Sequence, residues 1–138
     1  MKILNKEEIR SILEDVLGLP KDLGRFWPLA PKYYALEKKE FEKLIKSITP
    51  VAQKFIPVLF DCDAFAKVFS ARIKEEAAKR HQPGAALAFG DITVRHKVSK
   101  EIHTLNFFIT DSSWAYYFDP QPGLFVNGAN FKPIRAGI

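Results

Sequence analysis

The stretch Asp61-Cys62-Asp63-Ala64-Phe65-Ala66-Lys67-Val68-Phe69 opens the helix around which the rest of the chain is read. Asp61 or Asp63 can cap its first turn. Phe65, Val68, Phe69, Ile73 and Ala77 then form one apolar stripe, opposite Lys67, Arg72, Lys74, Glu75, Lys79 and Arg80. Residues 81–84 end it. From Gly84 onward the apolar period changes from 3.6 to 2, in runs rich in β-branched and aromatic residues over 85–94, 102–110, 114–118 and 124–134. The joins carry turn chemistry: a bend or bulge at Gly90 and Asp91, a hairpin over 111–113, and a loop over 120–123.

Upstream, Asn5 with Glu8 three residues on is a helix start, and Ile9, Ile12, Leu13, Val16 and Leu17 keep helical spacing until Gly18 and Pro20. Residues 21–31 read as an irregular connection anchored by Phe26 and Trp27. A second helix is predicted from Tyr33 or Tyr34 to Ile48, on Leu36, Phe41, Leu44, Ile45 and Ile48, with Pro50 ending it. Residues 50–60 read as a short helical turn started by proline. The expected architecture is therefore α+β in one domain spanning 1–138. Residues 1–59 form its helical portion, and 60–138 supply a helix packed on an antiparallel meander.

A chain of 138 residues with 47% hydrophobic content can build one core. The 21 basic residues, for a net charge of +5, are spread along the sequence among 16 acidic ones, which gives nucleic-acid binding little support. The charge runs 37–43 and 74–80 carry both signs at helical spacing and read as solvated helix faces. One cysteine makes neither an internal disulfide nor a cysteine-based zinc site. No apolar run is long enough for a signal peptide or a membrane span, so the expectation is a protein cytoplasmic as synthesised, or carried in a virion. Oligomeric state leaves no trace in the sequence.

Cys62 sits at the start of the strongest helix, where free N–H groups and the positive end of the dipole favour a thiolate and can also hold an oxyanion. A small buried hydrophobe is the bland alternative. Of the three histidines, His81 lies at a helix end and His96 lies between Arg95 and Lys97 in a turn. His103 opens an apolar strand that can hold it rigidly opposite the cysteine, as in papain-like enzymes. Asp119 ends the next strand, and a hairpin centred near Ser112 would set it roughly across from His103. It could equally start a turn with Pro120.

These features, with Ala-Phe-Ala after Asp-Cys-Asp, a His-x-x-Asn strand and an acid-Pro-Gln turn, resemble a known family. It is the papain-like C-terminal protease domain of the Marasmius oreades agglutinin, shared with related phage-encoded lectin-related proteins. The likeness runs from about Phe60 to Gln121. It implies a Cys62 nucleophile, a His103 base and an Asp119 orienting acid, the last a glutamate in the family pattern. Gln53, upstream of the cysteine, is a candidate for an oxyanion role, and Asn106 and Gln121 are further orienting candidates. The resemblance also implies calcium, for which Asp63, Asp119 and Gln121 offer oxygen ligands. The expected function is a papain-like cysteine protease or amide hydrolase acting on a protein or peptide. The alternatives are a catalytically silent phage or host-interaction module of the same fold, and a cysteine-type peptidoglycan amidase.

Overall fold

The computed structural model describes residues 1–22, 24–55, 61–81 and 83–138, the side chains of 51–55 excepted. Strand β1 (Lys2–Asn5) leads into helix α1 (Lys6–Ile12). Here the Glu8 N–H donates to Asn5 Oδ1 at 2.8 Å and the Asn5 N–H donates to Glu8 Oε1 at 3.2 Å, a reciprocal cap. The helix widens into a π-turn over Leu13–Leu17 and stops at Gly18, whose φ of +79° is the left-handed turn that glycine adopts freely. Two strands follow, β2 (Phe26–Trp27) and β3 (Lys32–Ala35), then the long helices α2 (Lys38–Phe55) and α3 (Cys62–Arg80). The remainder is β4 (Ala86–Leu87), β5 (Phe89–His96), β6 (Ile102–Ile109), β7 (Ala115–Asp119), β8 (Leu124–Val126), a 3-10 turn over Gly128–Asn130, and β9 (Phe131–Gly137).

The strands form two mixed sheets, one ordered β1-β3-β4 and the other β2-β9-β5-β6-β7-β8. In the first, β3 pairs antiparallel with β1 and parallel with β4; in the second, β2 runs parallel to β9. The larger sheet separates two apolar clusters. Ile92, Val94, Leu105 and Phe107 pack with Leu4, Ile9, Leu13 and Tyr33. Phe89, Phe108 and Phe118 pack with Phe41, Leu44, Phe69 and Ile73 of α2 and α3. Alternation of side chains along β6 places Phe107 in one cluster and Phe108 in the other.

This architecture corrects the α+β reading in its topology. The first half is not a helical portion, because β1, β2 and β3 lie in it and β2 joins the sheet built by the second half. Nor is the larger sheet a simple meander, since β9 returns beside β5 rather than extending beyond β8. Tyr33 and Tyr34 start no helix. They belong to β3, where Tyr33, Tyr34 and Ala35 are all buried, and α2 begins at Lys38. Pro50 does not end that helix but lies inside it, preceded by Ser47 and Thr49, whose hydroxyls donate to the Leu44 and Ile45 carbonyls at 2.7 Å. A proline interrupts the helical ladder only locally when the buried face before it is held by packing, as Phe41, Leu44 and Ile45 are here. The helical turn expected over 50–60 thus falls partly within α2, and residues 56–60 lie outside the described ones.

Candidate functional site

Three elements converge on the single cysteine. Asp61 is the cap of α3, its carboxylate accepting the Ala64 N–H at 2.8 Å while its carbonyl accepts the Phe65 N–H at 2.9 Å. Cys62 is the next residue, partly exposed, on a first turn whose leading amides have no intrahelical acceptor. The acids on either side of it are both engaged: Asp61 by the cap, and Asp63 by Lys67 at 3.0 Å. Neither carboxylate is left without a donor beside the sulfur.

His103 is the second residue of β6. Its Nε2–H donates to Asp119 Oδ2 at 3.0 Å, and Asp119 Oδ1 accepts the Gln121 N–H at 3.3 Å. The carboxylate is thereby fixed at both oxygens. The hydrogen bond to Asp119 raises the His103 pKa above its ordinary value; burial works against it, and the Asp119 charge together with a hydrogen bond and charge from Cys62 adds to the rise. With Nε2 taken by Asp119, Nδ1 is the ring nitrogen left for the thiol. The rungs of the β6–β7 ladder run from Asn106–Phe118 to Ile109–Ala115, so His103 and Asp119 lie past the last rung. A continued register would set His103 against Gln121. The pair therefore meets by side-chain reach at the open end of the hairpin.

The other candidates divide clearly. Asn106 is fully buried and takes no part beside His103: its Nδ2 donates to the Ala66 carbonyl at 2.9 Å and the Gly90 carbonyl at 3.1 Å, tying α3 to β5. Gln121 contributes its backbone N–H to Asp119. Gln53 lies in α2 among the side chains outside the described ones. Asp63 and Asp119, two of the three oxygen donors expected for calcium with Gln121, are both engaged by neighbouring donors. Asp63 is held by Lys67, both oxygens of Asp119 already accept, and no group of three or more His, Cys, Asp or Glu among the described residues is placed to hold a metal. His81 lies 3.9 Å from Glu40, and His96 Nδ1 accepts the Val98 and Ser99 N–H groups at 3.2 Å, so each has a local structural role.

Sequence reasoning placed Lys67 and Lys74 on a solvated helix face, and Lys67 is exposed there; what it missed is that Lys74 is partly buried, that Lys67 bridges Asp63 and Asp91 at 3.0 and 3.1 Å, and that both lysines border a cavity between α3 and the β9 edge. Their separation of seven residues, with Ser70 and Ala71 between, is the signal that could have placed them on one face.

Residues 33–125 match the family described as agglutinin C-terminal, which is more than half of the chain. The chain belongs to the agglutinin C-terminal family. No curated protein sequence matches it. Among solved structures, members of this fold include one described as the "PSL1a-E64 complex", with TM-score 0.76 and 22% identity over 99% of this chain and 50% of that one. A second is the Polyporus squamosus lectin bound to the human-type influenza-binding epitope Neu5Aca2-6Galb1-4GlcNAc. Its TM-score is 0.74 and its identity 20%, over 99% of this chain and 49% of that one. This agglutinin C-terminal chain thus spans about half the length of the structures it matches.

These matches correct the functional expectation. An agglutinin family and a lectin of mixed-sheet architecture stand where a papain-like cysteine hydrolase was expected. The readings as a cysteine protease, as a peptidoglycan amidase and as a silent module of papain-like fold give way with it, as does the peptide substrate. Among the described residues no helix is long and apolar enough to cross a membrane.

Proposed function

We propose that this agglutinin C-terminal chain is a ligand-binding module whose functional centre is the thiol of Cys62, paired with His103 and oriented through Asp119, and that the centre binds electrophilic ligands covalently. The observation that carries the reading is the 3.0 Å hydrogen bond from His103 Nε2 to Asp119, on a ring whose pKa is also raised by Cys62. A ring that holds a proton more tightly is the better base for the thiol proton of Cys62 as the sulfur attacks. Asp119 fixes the ring tautomer that leaves Nδ1 for the sulfur. The E64 bound in the PSL1a structure is the ligand first carried over to this chain, as a prediction.

With iodoacetamide the step is simple: the Cys62 sulfur forms a bond to the methylene carbon, the carbon–iodine bond breaks, iodide leaves, and the thiol proton remains on His103. The test is intact mass against time at neutral pH, with iodoacetamide and with E64. Alkylation of Cys62 is expected to run at least about tenfold faster than in the urea-unfolded chain, and a mass increase with E64 is expected that Cys62→Ser abolishes. His103→Ala is expected to remove the rate advantage. Equal rates folded and unfolded would overturn the thiol reading. So would binding of Neu5Aca2-6Galb1-4GlcNAc, measured by calorimetry, in a chain whose thiol shows no enhanced reactivity, since that outcome makes the module a glycan receptor.

A further inference from the structure

Lys67, Ser70, Ala71 and Lys74 occupy positions i, i+3, i+4 and i+7 of α3, one face of a helix. That face and the end of β9 line an open cavity of about 540 Å³, rimmed by Trp27, the last residue of β2, and by Leu29 just beyond it. The volume falls among small-molecule sites, which run to roughly 300–1,000 Å³. Cys62, His103 and Asp119 do not line it.

The charges within it are unevenly satisfied. Lys67 is matched by Asp63 and Asp91, and Arg135 Nε donates to Thr93 Oγ1 at 3.4 Å. Lys74 differs. Among the described residues no hydrogen bond or ion pair reaches its ammonium, and burial pushes its pKa down, with the more distant charge of Asp91 opposing. A cation drawn out of water without a partner is costly, and an anionic ligand would relieve that cost. Apart from these charged groups and Ser70, the side chains of the wall are apolar or absent. Trp27 is 50% exposed and Leu29 88% exposed, two large side chains open to water beside the cavity.

We propose that this cavity binds a small amphiphilic carboxylate, its charged end on Lys74 and its apolar body against Trp27 and Leu29. A carboxylate fits better than a neutral ligand because the side chains lining it carry Lys67, Lys74 and Arg135 against Asp91 as the one acidic side chain. The site is independent of the thiol centre.

The experiment is isothermal titration of the whole chain with 4-phenylbutyrate and with 4-phenylbutan-1-ol, which share an apolar body and differ in charge. The carboxylate is expected to bind at least about tenfold more tightly than the alcohol. Lys74→Met and Lys74→Gln should both erase that preference. Lys74 also borders a second cavity beside Tyr34 and His81, whereas Trp27 lines only the first, so Trp27→Ala should weaken both probes and locate the site. The Cys62 alkylation rate should stay at its wild-type value in the Lys74 variants, and their melting temperature should not fall, since they remove a partly buried cation without a partner; this separates the site from the thiol centre. Equal affinity for the two probes, no binding of the carboxylate at about 1 mM, or a preference that survives both Lys74 substitutions would overturn the proposal.

Discussion

At the scale of single residues, the His103–Asp119 bond is the feature with the clearest pH signature. His103 holds its proton more tightly in the folded chain than in the unfolded one, because Asp119 accepts its Nε2–H. A raised folded pKa contributes stability that is fully present below the ordinary histidine value, about 6.5, and is lost as pH rises through the folded value. Asp119→Asn removes the accepting charge. It is expected to cost about 1 kcal/mol near pH 6 and progressively less towards pH 9, in urea unfolding followed at each pH. The His103 ring, titrated by NMR, should shift its midpoint down in the variant. A loss of stability independent of pH, with the His103 midpoint unmoved, would show that the bond does not carry a proton-linked charge.

Between elements, the placement of α3 rests on Asn106 and Gly90. Asn106 Nδ2 donates to the Ala66 carbonyl on the helix and to the Gly90 carbonyl on β5, fixing one to the other from a fully buried position on β6. A Cβ at Gly90 would overlap the Gly137 carbonyl and approach the Phe107 ring to 2.9 Å, so β5 meets β9 closely there. Asn106→Ala is expected to cost roughly 2–3 kcal/mol and also to slow Cys62 alkylation, because the helix start would lose its register over His103. Gly90→Ala should cost roughly 1–3 kcal/mol through overpacking. Thermal melts and alkylation rates on the two proteins check both; an unchanged alkylation rate in a destabilised Asn106→Ala protein would mean that α3 is positioned by its apolar stripe alone. The helix itself was legible in the sequence. Its Asp61 cap, its apolar stripe and its end at Arg80 are all local signals, and the meeting of His103 with Asp119 was legible because a short hairpin joins their strands. The cavity beside Lys67 and Lys74 was not, because a solvated helix face gives no sign of a cavity until β5 and β9 are seen beside it. Tyr33 and Tyr34 failed for a related reason: an apolar run buried all round has no period, and the partners that make it a strand, β1 and β4, lie far away in sequence.

For the whole molecule, the larger sheet is shared by two cores, and this sets how the chain should unfold. β5 and β6 give Ile92, Val94, Leu105 and Phe107 to one cluster and Phe89 and Phe108 to the other, so neither cluster can be exposed without stripping the sheet that supports the second. The parallel pairing of β2 with β9 adds a tie between the two ends of the sequence. Among the described residues Phe108 is the most connected ring, within 4.8–6.4 Å, centroid to centroid, of Phe41, Phe89, Tyr116 and Phe125. Phe108→Ala in the helix-side cluster should cost about 3–5 kcal/mol, and Leu13→Ala in the opposite cluster about 2–5 kcal/mol. Those losses are large against a domain stability of roughly 5–15 kcal/mol. Because the sheet couples the clusters, each variant should still unfold in one transition, with far-UV circular dichroism and tryptophan fluorescence giving coincident midpoints. Trp27 reports the β2–β9 edge and Trp114 the turn before β7, so the fluorescence samples both ends of the larger sheet. If Phe108→Ala separates the two signals while Leu13→Ala does not, the helices α2 and α3 detach as a unit, and the sheet with its first cluster is stable without them.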